Sequence, residues 1–130
     1  MKYYIDTCIW IDFFENRSDG LRPLGEFAFQ FLKKCVKNKN TILYSEHIIY
    51  ELKKHKCDFF KISKDFSKVI KEVKISKENI LDANKLKEKN NIPFGDALHL
   101  IIAKQNKATL ISQDKHLLNF KEVMRPEELI

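Results

Sequence analysis

Glycine and proline are scarce in this chain, with three of each in 130 residues. No Gly/Ser linker, low-complexity tract or internal repeat divides it, so residues 1–130 read as a single domain. Cysteine is equally sparse. Cys8, Cys35 and Cys57 are odd in number and far apart; they form no C-x-x-C pair and no Cys/His spacing of a structural zinc site. A disulfide framework is therefore excluded, and a reduced protein is expected. Long hydrophobic runs are also missing. The apolar opening MKYYIDTCIWIDFF is interrupted by Asp6 and Asp12, which breaks a signal peptide's apolar core. No stretch approaches the roughly 18 apolar residues of a membrane span. The expectation is a soluble, cytoplasmic chain with no membrane segment.

What the chain does have is enough apolar material for a core, 44% of its residues. It also carries 24 Lys plus Arg against 18 Asp plus Glu, a formal charge of +6. Nearly all the cations are lysines, scattered and not gathered into a tail. An ammonium is a point charge without arginine's bidentate fork, so scattered Lys suits loose, sequence-tolerant contact with phosphates. Solvation of helix faces accounts for the same pattern, and charge leaves both readings open.

Strands alternate with helices. Tyr3 to Ile5 is a short aromatic and β-branched run that reads as a buried strand ending at Asp6. A helix through Ile9 to Phe14 follows, stopped by the Asn16–Gly20 turn cluster. Pro23 suits the first turn of a second helix, on which Leu24, Phe27, Phe31 and Leu32 fall at helical spacing. Thr41 to Tyr44 is a second strand, and Ser45 caps the helix after it. Phe59 to Val73 has the period of one amphipathic helix, and Ser76 caps another running to about Lys89. Asn90 to Pro93 breaks it. A strongly apolar helix, Ala97 to Ala103, belongs in the interior. Ala108 to Ser112 is a third strand, Val123 lies in a weak one, and Pro126 sits in a final turn. Such alternation predicts an α/β fold, a mostly parallel sheet covered on both faces.

In this layout four acids fall at one edge. Open α/β sheets bind ligands in the crevice beyond the carboxyl ends of their strands. Asp6 ends the first strand, Asp114 lies just past the third, and Asp96 opens the apolar helix. Glu51 sits one and a half turns into the helix after the second strand. At about 100° per residue, it lies within about 60° of Ile48 and so borders the apolar face. A carboxylate there is costly unless it is paired or bound to a metal. Each acid also has a structural role open to it. Asp96 and Asp114 suit N-caps, and Glu51 has His47 and His55 as i−4 and i+4 partners. The His47–Glu51–His55 spacing raises a zinc site as well, although it is not H-E-x-x-H. His99, one turn from Asp96, reads as a packed core histidine or a neighbour of the site.

Four clustered carboxylates would repel one another and raise their pKa values unless a cation neutralised them. Mg²⁺ or Mn²⁺ suits an all-oxygen set and supports in-line attack of water on a phosphodiester. Thr7 and Ser112 stand close enough in sequence to orient a carboxylate or the water. Phosphatase chemistry of the haloacid-dehalogenase kind needs a second acid two residues after the first; Cys8 stands there.

These segments together resemble the PIN-domain nucleases, and most closely the single-domain VapC-type toxins of prokaryotic toxin–antitoxin pairs. The matching pieces are Tyr4-Ile5-Asp6-Thr7, Ser45 with Glu51, Phe94-Gly95-Asp96-Ala97-Leu98-His99-Leu100 and Leu110-Ile111-Ser112-Gln113-Asp114. The Pro126–Leu129 ending also matches. The resemblance implies a three-layer α/β/α sandwich and a Mg²⁺- or Mn²⁺-dependent endoribonuclease. It implies that Asp6, Glu51, Asp96 and Asp114 are the catalytic acids. Asp6 and Asp96 would be direct metal ligands, Glu51 and Asp114 would act directly or through water, and Thr7 and Ser112 would support them. It further implies an RNA substrate, a small antitoxin partner and a homodimer. Cys8 and Leu117 depart from the family's frequent Asn and aromatic, which touches groove details and not the carboxylates. The alternative is a non-catalytic PIN-fold module that binds RNA or protein through its basic charge and the Phe59-Phe60 segment.

Overall fold

A computed structural model describes residues 1–130. Five strands build one sheet: β1 (Lys2–Ile5), β2 (Thr41–Tyr44), β3 (Ile70–Glu72), β4 (Thr109–Ile111) and β5 (Val123–Met124). Their spatial order is β3-β2-β1-β4-β5, and every pairing is parallel. Tyr3 is level with Ile42 on one side and with Thr109 on the other.

Parallel neighbours need crossover connections. These are α1 (Thr7–Glu15) and α2 (Leu24–Lys37), α3 (Glu46–Lys54) and α4 (Phe59–Ile62), then α5 (Lys77–Asn90) and α6 (Phe94–Gln105). The first two crossovers step outward from β1, and the third returns past it to β4. Because such crossovers are right-handed, α5 and α6 lie on the opposite face from the earlier helices. The result is the expected α/β/α sandwich, with all its strands parallel.

Burial on both faces explains why the strands read as continuous apolar runs. Tyr4, Ile5, Ile42, Leu43, Leu110 and Ile111 are at most 2% exposed. On the α1 face, fully buried Trp10 packs edge-on against Phe59 with ring centroids 5.2 Å apart. Helix α1 ends at Asn16 in the left-handed conformation (φ 49°). The chain then doubles back so tightly that a Cβ on Gly25 would sit 2.5 Å from Asn16 Cα. Only glycine fits that crossing.

Two local expectations need correction. The single helix expected over Phe59 to Val73 is in fact α4, a 3₁₀ segment (Lys64–Val69) and β3. Its helical period has a real cause, since Phe59, Ile62 and Phe66 are all buried. The open edge of β2 overrides it further on. Ile70 to Glu72 pair with Ile42 to Tyr44, and the Val73 amide donates to Tyr44 O at 2.8 Å. Satisfying backbone groups along a sheet edge outweighs a weak local preference. Ser45 does occupy the N-cap of α3, yet its hydroxyl makes no cap bond and instead meets Tyr4 Oη at 2.7 Å. Ser76, by contrast, caps α5 in a reciprocal box with Asn79. No helix is long and apolar enough to cross a membrane.

Candidate active site

The chain leaves β1 toward β2 and comes back on β1's other side at β4. The carboxyl ends of β1 and β4 therefore flank the point where strand order reverses, the place where such sheets form their ligand crevice. Asp6 stands directly after β1, its amide donating to Ile111 O at 3.0 Å. Its side chain is only 7% exposed. Ser112 Oγ donates to Asp6 Oδ2 at 2.7 Å, and Cys8 Sγ approaches the same oxygen at 3.4 Å. The same Ser112 hydroxyl accepts the Asp114 amide at 2.9 Å. One buried serine thus ties the acid after β1 to the acid after β4.

Asp114 has the structural role that its sequence context allows, since its Oδ1 accepts the His116 amide at 2.8 Å. Asp96 does not have that role. It stands in the first turn of α6, whose N-cap is Pro93. Burial pushes the Asp96 carboxyl up to about 7, and the charges of Asp114 and Asp6 push in the same direction. The imidazoles of His99 and His116 offset only part of this. No Lys or Arg forms an ion pair with Asp6, Asp96 or Asp114; His99 is the only basic group paired to any of them. Three carboxylates therefore face one crevice with negative charge left over.

Glu51 belongs to a different grouping. Thr7 Oγ1 donates to Glu51 Oε1 at 2.6 Å, and His99 Nε2 lies 2.7 Å from the same oxygen. His47 Nε2 stands 3.4 Å from Glu51 Oε2, near enough for charge attraction. It is shielded from solvent without a hydrogen-bond partner. Burial alone would raise the Glu51 carboxyl, but His47, His99 and Thr7 together hold it well below the usual carboxylate range. His99 is 1% exposed and engages both ring nitrogens. Its Nδ1 is 3.0 Å from Tyr4 Oη, and its Nε2 is 3.5 Å from Asp6 Oδ1 as well as close to Glu51. Burial disfavours the His99 cation, yet the Glu51 contact and the Asp6 charge outweigh it, so its pKa is raised.

All four expected acids thus lie at one end of the sheet, with Thr7 bonded to Glu51 and Ser112 bonded to Asp6 and Asp114. They are not one uniform cluster. His99 stands between Glu51 and Asp6 and links the two parts. His99 is buried, as a core histidine is, but it is wired into the site. His55 is only the C-cap of α3 and takes no part. Sequence left His99 open between core and site; what spacing could not show is its contact with Glu51, 48 residues away. Asp12 was missed as well. It is 3% exposed, its Oδ2 has no partner, and burial pushes it up to about 6. Its signal was an acid on the apolar side of a short helix.

The PIN-domain sequence profile matches residues 3–123. The chain belongs to the PIN-domain family. Among solved structures this PIN domain is similar to a toxin–antitoxin complex from Klebsiella pneumoniae, at 20% identity and TM-score 0.64, covering 95% of this chain and 97% of that one. It is also similar to VapBC2 from Rickettsia felis bound to a DNA fragment from their promoter, at 18% identity and TM-score 0.67, covering 96% and 97%. VapBC-1 from nontypeable Haemophilus influenzae matches at 16% identity and TM-score 0.61, covering 97% and 98%. At such identities the likeness speaks for a shared fold. A comparison with curated proteins returns no match.

Proposed function

We propose that this PIN domain is a divalent-metal-dependent endoribonuclease and the toxin of a toxin–antitoxin pair. The observation that carries the reading is the surplus of charge at the crevice: Asp96 pushed up to about 7 by burial, Asp114 and Asp6, with no lysine or arginine to balance the three. A half-buried carboxylate set in that condition fits a cation with oxygen ligands. When bound, Mg²⁺ or Mn²⁺ supplies charge neutralisation and an activated water for in-line attack on a phosphodiester. Asp6 and Asp96 would hold the ion, with Asp114 beside them and Glu51 contributing directly or through water.

The protein's own groups do the rest. Ser112 holds Asp6 and Asp114 in register with its one hydroxyl. Thr7 and His99 keep Glu51 ionised and oriented. Scattered lysines supply contacts with RNA phosphates that do not depend on sequence. A small antitoxin partner is supported by the complexes with which the fold is shared. Homodimerisation and a cytoplasmic location complete the proposal. A non-catalytic binding module gains nothing from repelling carboxylates in a groove meant for phosphates.

The test is expression of wild type and Asp96→Asn in cells, followed by mapping of new RNA 5′ ends. Wild-type expression should create defined new ends that the variant does not. Identical end maps for the two proteins would sink the reading.

A further inference from the structure

The crevice has a second half that differs in chemistry from its acids. His47 and Glu51 come from α3, and His99 comes from α6. One ligand atom from each lies within 4.8 Å of the other two. Two nitrogens and one carboxylate are a donor set unlike the all-oxygen set of Asp6, Asp96 and Asp114. Imidazole suits zinc and the later first-row metals, while Mg²⁺ favours oxygen. The geometry points to a transition-metal position at His47, Glu51 and His99, sharing Glu51 with the acidic half and bordering Asp6, with Zn²⁺ or Co²⁺ as its occupant.

Three features favour a ligand site over a merely packed trio. His47 Nε2 is shielded from solvent and aimed at Glu51 Oε2, but at 3.4 Å that one contact falls short of a well-formed hydrogen bond. A buried imidazole nitrogen held by so loose a contact carries a cost that a metal bond would remove. His99 has the outer support that metal-ligating histidines usually show. Its Nδ1 meets Tyr4 Oη at 3.0 Å, and Tyr4 Oη in turn meets Ser45 Oγ at 2.7 Å. With Nδ1 fixed by that chain, Nε2 faces Glu51, and Asp6 Oδ1 stands 3.5 Å from it as a fourth donor. Last, residue 95 is glycine where α6 passes closest. A Cβ there would lie 3.0 Å from Glu51 Oε2 and 3.3 Å from His47 Nε2. The missing side chain keeps the space beside these two ligand atoms open.

This site needs no RNA cleavage by the chain, so it stands or falls apart from the nuclease reading. The experiment uses the full, chelator-treated protein, titrated with Zn²⁺ by calorimetry and with Co²⁺ by visible absorption. Wild type should bind one equivalent of each, and the Co²⁺ ligand-field bands should show nitrogen ligation. His47→Gln should weaken Zn²⁺ binding at least about tenfold, with its thermal midpoint without metal unchanged. Gly95→Ala, which leaves every ligand in place, should weaken Zn²⁺ severalfold by crowding the same space. Asp96→Asn should lower Mn²⁺ binding and leave Zn²⁺ binding at this position intact. Equal Zn²⁺ affinity in wild type and His47→Gln overturns the proposal. So does loss of Zn²⁺ binding in Asp96→Asn equal to that in His47→Gln, since the ion would then belong to the acids.

Discussion

The two halves of the crevice share one edge of one sheet and opposite electrostatics. On the β1/β4 side, Asp6, Asp96 and Asp114 crowd together, and Asp96 takes the strain as a raised pKa. On the α3/α6 side, Glu51 is surrounded by Thr7, His47 and His99, and its pKa is lowered. One half is short of positive charge; the other carries its own. Proximity of acids alone does not decide which cation an edge of the sheet would take: the half without counter-charge suits an ion bound by oxygen, whereas the half lined by imidazoles suits a metal that takes nitrogen.

Substitutions on the unbalanced side should have the greatest consequence. Asp6→Asn or Asp96→Asn should slow cleavage of an end-labelled RNA at least about 100-fold under saturating Mg²⁺ or Mn²⁺. In metal-free buffer Asp96→Asn should raise the thermal midpoint, because a repelling charge is gone. Added Mg²⁺ should stabilise wild type more than this variant. An equal Mg²⁺ response in both would mean the acids do not share a cation.

Next comes the balanced side. Glu51→Ala leaves His99 buried without its main partner and should cost about 2 kcal/mol in denaturant unfolding. Asp96→Ala should cost far less, and if it cost as much, the contrast between the halves would be false.

Asp12 sharpens the same point away from the crevice. Its carboxyl is raised to about 6 by burial, from a value near 4 in the unfolded chain. Above about pH 6 it is ionised in both states, and its burial costs stability. Below about pH 4 it is neutral in both, and that cost is absent. Stability from this group therefore rises as pH falls from about 6 to about 4. Asp12→Asn should gain about 1 to 2 kcal/mol at pH 7 and lose that slope, as thermal midpoints across pH 4 to 8 would reveal. The smallest effect belongs to Ser112→Ala. Removing one hydroxyl bonded to both Asp6 and Asp114 should cost about 1 kcal/mol and a measurable part of the cleavage rate.

Much of this was legible in the residues. Tyr3 to Ile5 and Thr41 to Tyr44 announced themselves as strands because burial on both faces demands unbroken apolar runs. The acids could be placed because each follows or opens an element whose end was visible. The fate of Phe59 to Val73 was not legible, because the edge of β2 that captures Ile70 to Glu72 is formed by residues far away in sequence. The contact of His99 with Glu51 was hidden for a related reason. Its helix is apolar nearly all round, so periodicity could not say which of its neighbours would touch Glu51. Ser45 looked like a cap because caps are local, whereas its actual partner, Tyr4, lies 41 positions back.

The placement of β1 between β2 and β4 has a consequence for how the molecule comes into being. Asp6 is synthesised well before the serine that holds it, since Ser112 lies 106 residues further along the chain. Contacts of that span form late, after the costly closure of long loops. Any nascent chain shorter than this holds Asp6 without Ser112, Asp96 or Asp114 in place. The acids at this edge of the sheet would therefore come together only once the chain has reached residue 114, as a late step of folding and not an early one.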